Sequence, residues 1–415
     1  MKILHTSDWH LGRTLFGQQR TAEFEAFLTW LLKTLQAQQV EVLLVAGDIF
    51  DTTTPSNRAQ QLYYRFLCQV AQTGCRHVVI TAGNHDSPSF LAAPRELLRH
   101  LNVHVLTQAE EDPGAEVLEL LTTDGQPELL VCAVPYLRDR DMRSAEAGES
   151  IAAKETKLLA AIRRHYAEVV AIAASRRQQL ATEIPLVAMG HLFAAGGQTV
   201  EGDGVRELYV GSLAHISAGI FPPEIDYLAL GHLHLPQQLK GQATMRYSGS
   251  PLPMGFGEAR QQKSVCLIDF DGRRAQVAQL KVPVFRSLES ICGDWGQISR
   301  RLLELVAGGS DAWLEIVYTG SEVMTDLRER LDDVIAGSTL EILRVKNKRV
   351  LERVLGRQSR EETLDDLDVQ QVFARCLAEH QVPESQRAEL LACYQLVLNG
   401  FYEEDRHADG QGQPS

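Results

Sequence analysis

The chain has no ordered cysteine pattern. Its seven cysteines stand singly at positions 68, 75, 132, 266, 292, 376 and 393, with no Cys-x-x-Cys pair among them. Neither a disulfide framework nor a thiolate zinc site is expected, and the set reads as buried thiols in a reducing cytoplasm. Long apolar runs are absent as well: no stretch of about 18 apolar residues occurs, so no membrane-spanning helix is expected. Asp8 and His10 break the apolar start of the chain, which argues against a secretion signal. Positive charge is in short supply, with 41 Lys and Arg against 54 Asp and Glu and a net charge of −13. A non-specific nucleic-acid coat works by neutralising phosphates with Lys and Arg, and this composition argues against one. It does not argue against a site whose acidic residues hold metal ions to which phosphate binds locally.

What the chain does have is a series of short polar stretches: Ser7-Asp8-Trp9-His10, Gly47-Asp48-Ile49-Phe50-Asp51, Gly83-Asn84-His85-Asp86, Gly190-His191 and Gly231-His232-Leu233-His234. Each follows an apolar, partly β-branched run (Ile3 to Leu4, Val40 to Ala46, His77 to Ala82, Ile184 to Met189, Tyr227 to Leu230) of the kind that forms buried strands. Strand ends are where open α/β sheets place their ligands. Carboxylates and imidazoles gathered at one sheet edge would be a desolvated, mutually repelling cluster without a cation among them, so the set predicts a metal centre. On strand alternation Asp8 and His10 project to one side, as do His232 and His234. A Gly before Asp48, Asn84, His191 and His232 lets the backbone turn sharply and approach closely. Oxygen and imidazole donors without thiolate favour Mn, Fe or Zn in a catalytic site. Taken singly, His191 or His232 would more often be a satisfied structural histidine; taken as a set, these residues read as ligands.

The five motifs, in this order between residues 8 and 234, resemble the calcineurin-like metallophosphoesterase superfamily. Within it, Met1-Lys2-Ile3-Leu4-His5-Thr6-Ser7-Asp8-Trp9-His10-Leu11-Gly12, Ala46-Gly47-Asp48-Ile49-Phe50-Asp51-Thr52 and Tyr247-Ser248-Gly249-Ser250-Pro251 are similar to the bacterial branch of the double-strand-break repair nuclease family. The resemblance implies a layered α-β-β-α metallophosphoesterase sandwich with a small α+β capping domain and a C-terminal helical pair. It also implies two divalent metal ions, Mn ahead of Mg. Asp8, His10, Asp48 and His234 would hold one ion and Asp48, Asn84, His191 and His232 the other, with Asp48 bridging. His85 would protonate or steady the leaving oxygen, and Asp86 would orient its imidazole. The implied substrate is DNA, cut as exonuclease on double-stranded ends and as endonuclease on hairpins or single strands. The implied partner is an SMC-like ATPase, and the nuclease would form a homodimer within a heterotetramer, cytoplasmic, nucleoid-associated and away from membranes.

At 415 residues, two or three compact units are expected. Apolar stripes at helical spacing in residues 20–39 and from Asn57 to Gln72 alternate with strands up to residue 106, a layered α/β pattern. Residues 107–128, with Glu110, Glu111, Asp112, Pro113 and Gly114, read as a surface excursion, and Ser150 to Arg177 as one long helix or two broken ones. Val265 to Phe270 followed by Asp271-Gly272 signals a hairpin. The expected divisions are a metallophosphoesterase domain at 1–275, a capping domain at 276–345, a basic linker at 346–362, a helical partner-binding motif at 363–403 and a disordered tail at 404–415. The linker's Lys346, Lys348, Arg349, Arg353, Arg357 and Arg360 suit either a solvated face or DNA. On pattern alone the helical motif packs on its own chain; the resemblance gives it to the coiled coil of the ATPase.

Several residues carry weaker expectations. His5 and Asp51 sit where they could orient metal-bound groups, although strand packing and turn capping explain them as well. Arg13 and Arg20 are candidates for phosphate contact or are plain surface arginines, and Trp9 is expected in the core. Two rival functions remain: a phosphatase of the same superfamily, and a scaffold without metals. The first lacks the Arg-Gly that would follow Asp51 and has Gly-Asn-His-Asp in place of Gly-Asn-His-Glu; against the second, no ligand position is missing.

Overall fold

The computed structural model describes residues 1–142, 151–180, 183–194, 218–320, 324 and 326–347, with single helical positions at 377, 387, 390 and 394. The basic linker beyond residue 347, most of the 363–403 motif and the 404–415 tail lie outside the described residues.

Two six-stranded sheets carry the fold. The first runs in the order Arg274–Lys281, Ser264–Asp271, Lys2–Thr6, Val42–Ala46, His77–Thr81, Val103–Leu106, and the second Gln237–Leu239, Gln242–Tyr247, Tyr227–Gly231, Leu186–His191, Pro127–Ala133, Val117–Leu121. The four strands from Lys2–Thr6 to Val103–Leu106 are parallel, as are those from Gln242–Tyr247 to Pro127–Ala133. Strands of this kind are buried on both faces and read as continuous apolar runs; every residue of Val42–Ala46 and Tyr227–Gly231 is buried.

Alternation along each strand then separates three cores. Ile3, Val42, Leu44 and Val79 of the first sheet meet Val131, Val187, Met189 and Ala229 of the second. Leu43, Val45 and Ile80 point outward to Phe24, Phe27 and Leu31 of the helix Thr21–Gln38 and to Leu62 and Phe66 of Asn57–Val70. Leu130, Leu186 and Leu228 point outward to Tyr166, Val169 and Ala173 of Ile151–Leu180, a single 30-residue helix. The result is the α-β-β-α sandwich. No described helix is long and apolar enough to cross a membrane.

Two expectations need correcting. Residues 107–128 are not merely an excursion: Val117–Leu121 pairs antiparallel with Pro127–Ala133 and buries Val117 and Leu120. The strand, Val-Leu-Glu-Leu-Leu, is only five residues long and follows the Glu110-Glu111-Asp112-Pro113-Gly114 run, whose turn and charge signals mask it. A domain end at 275 would cut a hairpin, because Arg274–Lys281 pairs along its whole length with Ser264–Asp271. In the capping region the helices Trp295–Ala307 and Leu327–Ile335 accompany a sheet of three strands, Leu288–Gly293, Trp313–Tyr318 and Glu341–Asn347. The first of these strands lacks a clean alternation, its buried positions being Leu288, Ile291 and Gly293. The chain divides into two compact units, of which one holds Met1–Ile291, Ile298–Ile316 and Thr325–Val345, so most of the capping region shares a unit with the sandwich. The other holds Cys292–Gln297, Val317–Met324 and Lys346–Ser415.

Candidate metal centre

The ligand-type residues converge through left-handed turns and not through strand alternation. The strand Lys2–Thr6 ends before Asp8, and Asp8, His10, Asp48 and His232 have φ of +52°, +47°, +50° and +100°. Each such residue costs about 1–3 kcal/mol and persists only where surrounding bonds hold it. Here Asp8 N donates to Gly47 O at 3.0 Å, His10 N to Asp48 O at 3.0 Å and His232 N to Asp8 Oδ1 at 2.9 Å. Gly47, at φ +82°, is required twice over, since a Cβ there would also run into the His191 imidazole.

Imidazole nitrogens and carboxylate oxygens face one another across the centre. His10 Nε2 and His234 Nε2 are 3.2 Å apart. Asp48 Oδ2 lies 3.6 Å from His10 Nε2 and 3.3 Å from His191 Nε2, and Asn84 Oδ1 is 3.0 Å from both His191 Nε2 and His232 Nδ1. Asp8, His10 and His234 form one group, and Asp8, Asp48 and His191 another, each with donor atoms within 4.8 Å of one another.

The outer nitrogens decide whether this set fits a cation. His191 Nδ1 faces the Ala46 carbonyl at 3.0 Å and His234 Nδ1 faces Glu258 Oε1 at 3.2 Å. A proton donated outward from Nδ1 leaves the Nε2 lone pair directed inward, the state a metal needs. Burial would raise the Asp48 pKa, yet the imidazoles of His191, His10 and His85 hold it well below the usual range. Burial likewise opposes protonation of His191, but Asp48 outweighs it and lifts the imidazole to about 9. Buried His232, repelled further by His191, falls to about 3. His191 and Asp48 thus favour each other's charged forms, and a divalent cation would supply the positive charge beside Asp48 in place of a proton on His191. The residues fit divalent ions.

His85 lies beside this set. Its backbone N donates to Asp48 Oδ1 at 2.9 Å, its ring packs edge-on against His10 at 4.8 Å, and its Nδ1 faces the Asp51 carbonyl at 2.9 Å. That carbonyl occupies Nδ1. Asp86 is not its orienter. The Asp86 carboxylate accepts from Gly83 N at 2.8 Å, Phe50 N at 3.0 Å and Ile49 N at 3.1 Å, so it fastens the Asp48 turn to the Asn84 turn. Burial, with Asp48 nearby, lifts its pKa to about 6.

Asp51 joins the centre from behind, its Oδ1 3.4 Å from His10 Nδ1 and 3.0 Å from Arg13. Arg20 is not available to phosphate: it is 1% exposed, forked onto Glu23 and bonded to the Pro253 carbonyl. His5 pairs with the Tyr227 hydroxyl at 3.0 Å between the sheets, where burial lowers its pKa to about 3. Trp9 sits in the core against Phe27 and Phe66. Sequence reasoning missed Glu258, for which no local motif signals burial, and Ser7, whose Oγ is 2.5 Å from Asp8 Oδ2 and 2.8 Å from Ser248 Oγ.

Residues 1–236 match the family model of the calcineurin-like phosphoesterases, and residues 284–381 that of the type 5 capsule protein repressor C-terminal domain. The sandwich is accordingly that of a calcineurin-like phosphoesterase. The SbcD component of the SbcCD nuclease of Escherichia coli K12 is 39% identical over 403 residues, covering 96% of this chain and 98% of that one. The SbcD components of the Rhodobacter capsulatus and Bacillus subtilis nucleases are 41% identical over 281 residues and 34% over 271, covering 66% and 65% of this chain and 68% and 66% of theirs. This chain belongs to the SbcD family of metal-dependent nuclease subunits, as its motifs led us to expect.

Proposed function

We propose that the chain hydrolyses DNA phosphodiesters with two manganese ions, as an exonuclease on double-stranded ends and an endonuclease on hairpins or single strands, in a cytoplasmic, nucleoid-associated complex. One observation supports this above others: a single carboxylate oxygen, Asp48 Oδ2, faces His10 Nε2 on one side and His191 Nε2 on the other. Asp8, His10, Asp48 and His234 would hold one ion and Asp48, Asn84, His191 and His232 the other. Bound there, the ions would polarise the phosphoryl group and bring the pKa of water at the centre toward neutrality. The chain's own contribution is orientation and proton transfer. The Asp51 carbonyl holds His85 through Nδ1, and Nε2 gives its proton to the leaving oxygen. Asp86 keeps the Asp48 and Asn84 turns in register.

The imidazole-rich donor set suits Mn above Mg. Exhaustive chelation is expected to abolish cleavage of labelled linear and hairpin DNA, with Mn restoring it more fully than Mg. Cleavage that survives chelation would contradict the metal mechanism.

The partner in this reading is SbcC, an SMC-like ATPase, with two copies of the present chain in a heterotetramer. Residues 363–403 would grip it through Val372, Phe373, Cys376 and Leu377 and then Leu390, Leu391, Tyr394, Val397, Leu398 and Phe401, two stripes at helical spacing. Leu377, Leu390 and Tyr394 are helical. Deleting 363–403 is expected to abolish capture of the ATPase while Mn-dependent cleavage of single-stranded DNA continues. Loss of the sandwich's thermal unfolding transition in that variant would instead make the segment part of the core.

A further inference from the structure

The Glu258 carboxylate behind His234 belongs to a buried ion pair with Lys263. Glu258 is 0% exposed and ends the short turn Phe256–Glu258; Lys263 is 3% exposed. Glu258 Oε1 is 3.2 Å from His234 Nδ1, while Oε2 takes Lys263 Nζ together with Met254 N at 3.0 Å and Ser250 Oγ at 3.4 Å. Lys263 Nζ also donates to the His234 carbonyl at 2.9 Å and to Gln261 Oε1 at 3.0 Å. The pair thus grips His234 by its ring and by its backbone. From outside, Phe256 stacks on Phe16 with centroids 5.8 Å apart and packs with Leu15, Leu288 and Trp313, which fixes the turn. A buried pair of this kind gives little stability over apolar residues of similar volume, so stability alone does not account for it. His191, by contrast, is backed by the neutral Ala46 carbonyl.

We propose that Glu258 and Lys263 are positioning residues for the His234 half of the metal centre, holding its ion more firmly than the half built on His191 and His232. The proposal rests on the two-ion reading. An anion behind the outer nitrogen raises the donor strength of the inner one and locks the ring, and removing such a partner typically weakens metal binding about 10–100-fold.

The test is a calorimetric Mn2+ titration of the metal-free full chain, with electron paramagnetic resonance of the bound ions and thermal unfolding of the metal-free protein. The double variant Glu258→Gln/Lys263→Met, which leaves no unpaired buried charge, is expected to bind one Mn2+ as the wild type does and the other about 10–100-fold more weakly. The spin-coupled two-ion signal should give way to a mononuclear one at Mn2+ levels that saturate the wild type, with the metal-free unfolding temperature unchanged. Glu258→Asp, which keeps the charge but withdraws it from Nδ1, covers the case in which the double variant misfolds and should show the same one-sided loss. Two ions bound with wild-type affinity, or both weakened alike, would overturn the proposal. If the wild-type chain itself binds fewer than two ions, the two-ion reading fails, and this assignment with it.

Discussion

Asp48→Ala is expected to lose both metal ions and to lower the cleavage rate by more than about 10⁴, some 5.5 kcal/mol of transition-state stabilisation. Asp48 Oδ2 lies 3.6 Å from His10 Nε2 and 3.3 Å from His191 Nε2, so in the two-ion proposal neither half would keep its full donor set without it. The same side chain holds the His85 backbone through Oδ1 at 2.9 Å, which the Ala variant also forfeits. Asp48→Asn separates the two effects. It retains an oxygen for the His85 amide but removes the charge, and it is expected to lose the ions as well. Metal analysis of the purified variants beside their circular dichroism decides the matter: two ions retained in either variant would show that Asp48 does not bridge.

His85→Ala is expected to keep two ions and yet slow DNA cleavage by about 10²–10⁴, roughly 3–5.5 kcal/mol. The backbone bond from residue 85 to Asp48 survives this change, and the proposed ligand set loses no member; the ring facing the Asp51 carbonyl is lost. DNA affinity should hardly move. A nitrophenyl phosphodiester, whose leaving oxygen departs without a proton, should be slowed far less than DNA. Equal slowing of both substrates, or loss of an ion, would place His85 among the ligands or the scaffold and not in proton transfer.

Much of this centre was legible because its parts are local. An apolar run that ends in Gly-Asp or Gly-His states, within a few residues, both that a buried strand has stopped and what stands at its end. That Asp8, His10, Asp48, Asn84, His191, His232 and His234 stand at strand ends could therefore be expected from the chain, as could the hairpin after Phe270, whereas only the fold decided that Ile151–Leu180 is one helix and not two. The route by which they converge could not: left-handed φ at Asp8, His10, Asp48 and His232 depends on bonds from distant turns. The role of Asp86 was misjudged for a related reason. Its sequence neighbour is His85, but folding presents its carboxylate with the amides of Ile49 and Phe50, 37 and 36 residues away.

Residue type and hydrophobic period are properties of short segments, so the chain alone supplies the chemical character of each candidate donor and the strand it follows. The tertiary structure alone decided which groups stand behind the donors. Ala46 lies 145 residues from His191, and Glu258 follows His234 by 24 in a turn with no period of its own. It likewise decided that Arg20 is a core residue and that Val117–Leu121 closes the second sheet. Backing, burial and edge pairing are relations between segments, and they acquire an energy only when the two sheets pack and exclude water from the groups between them.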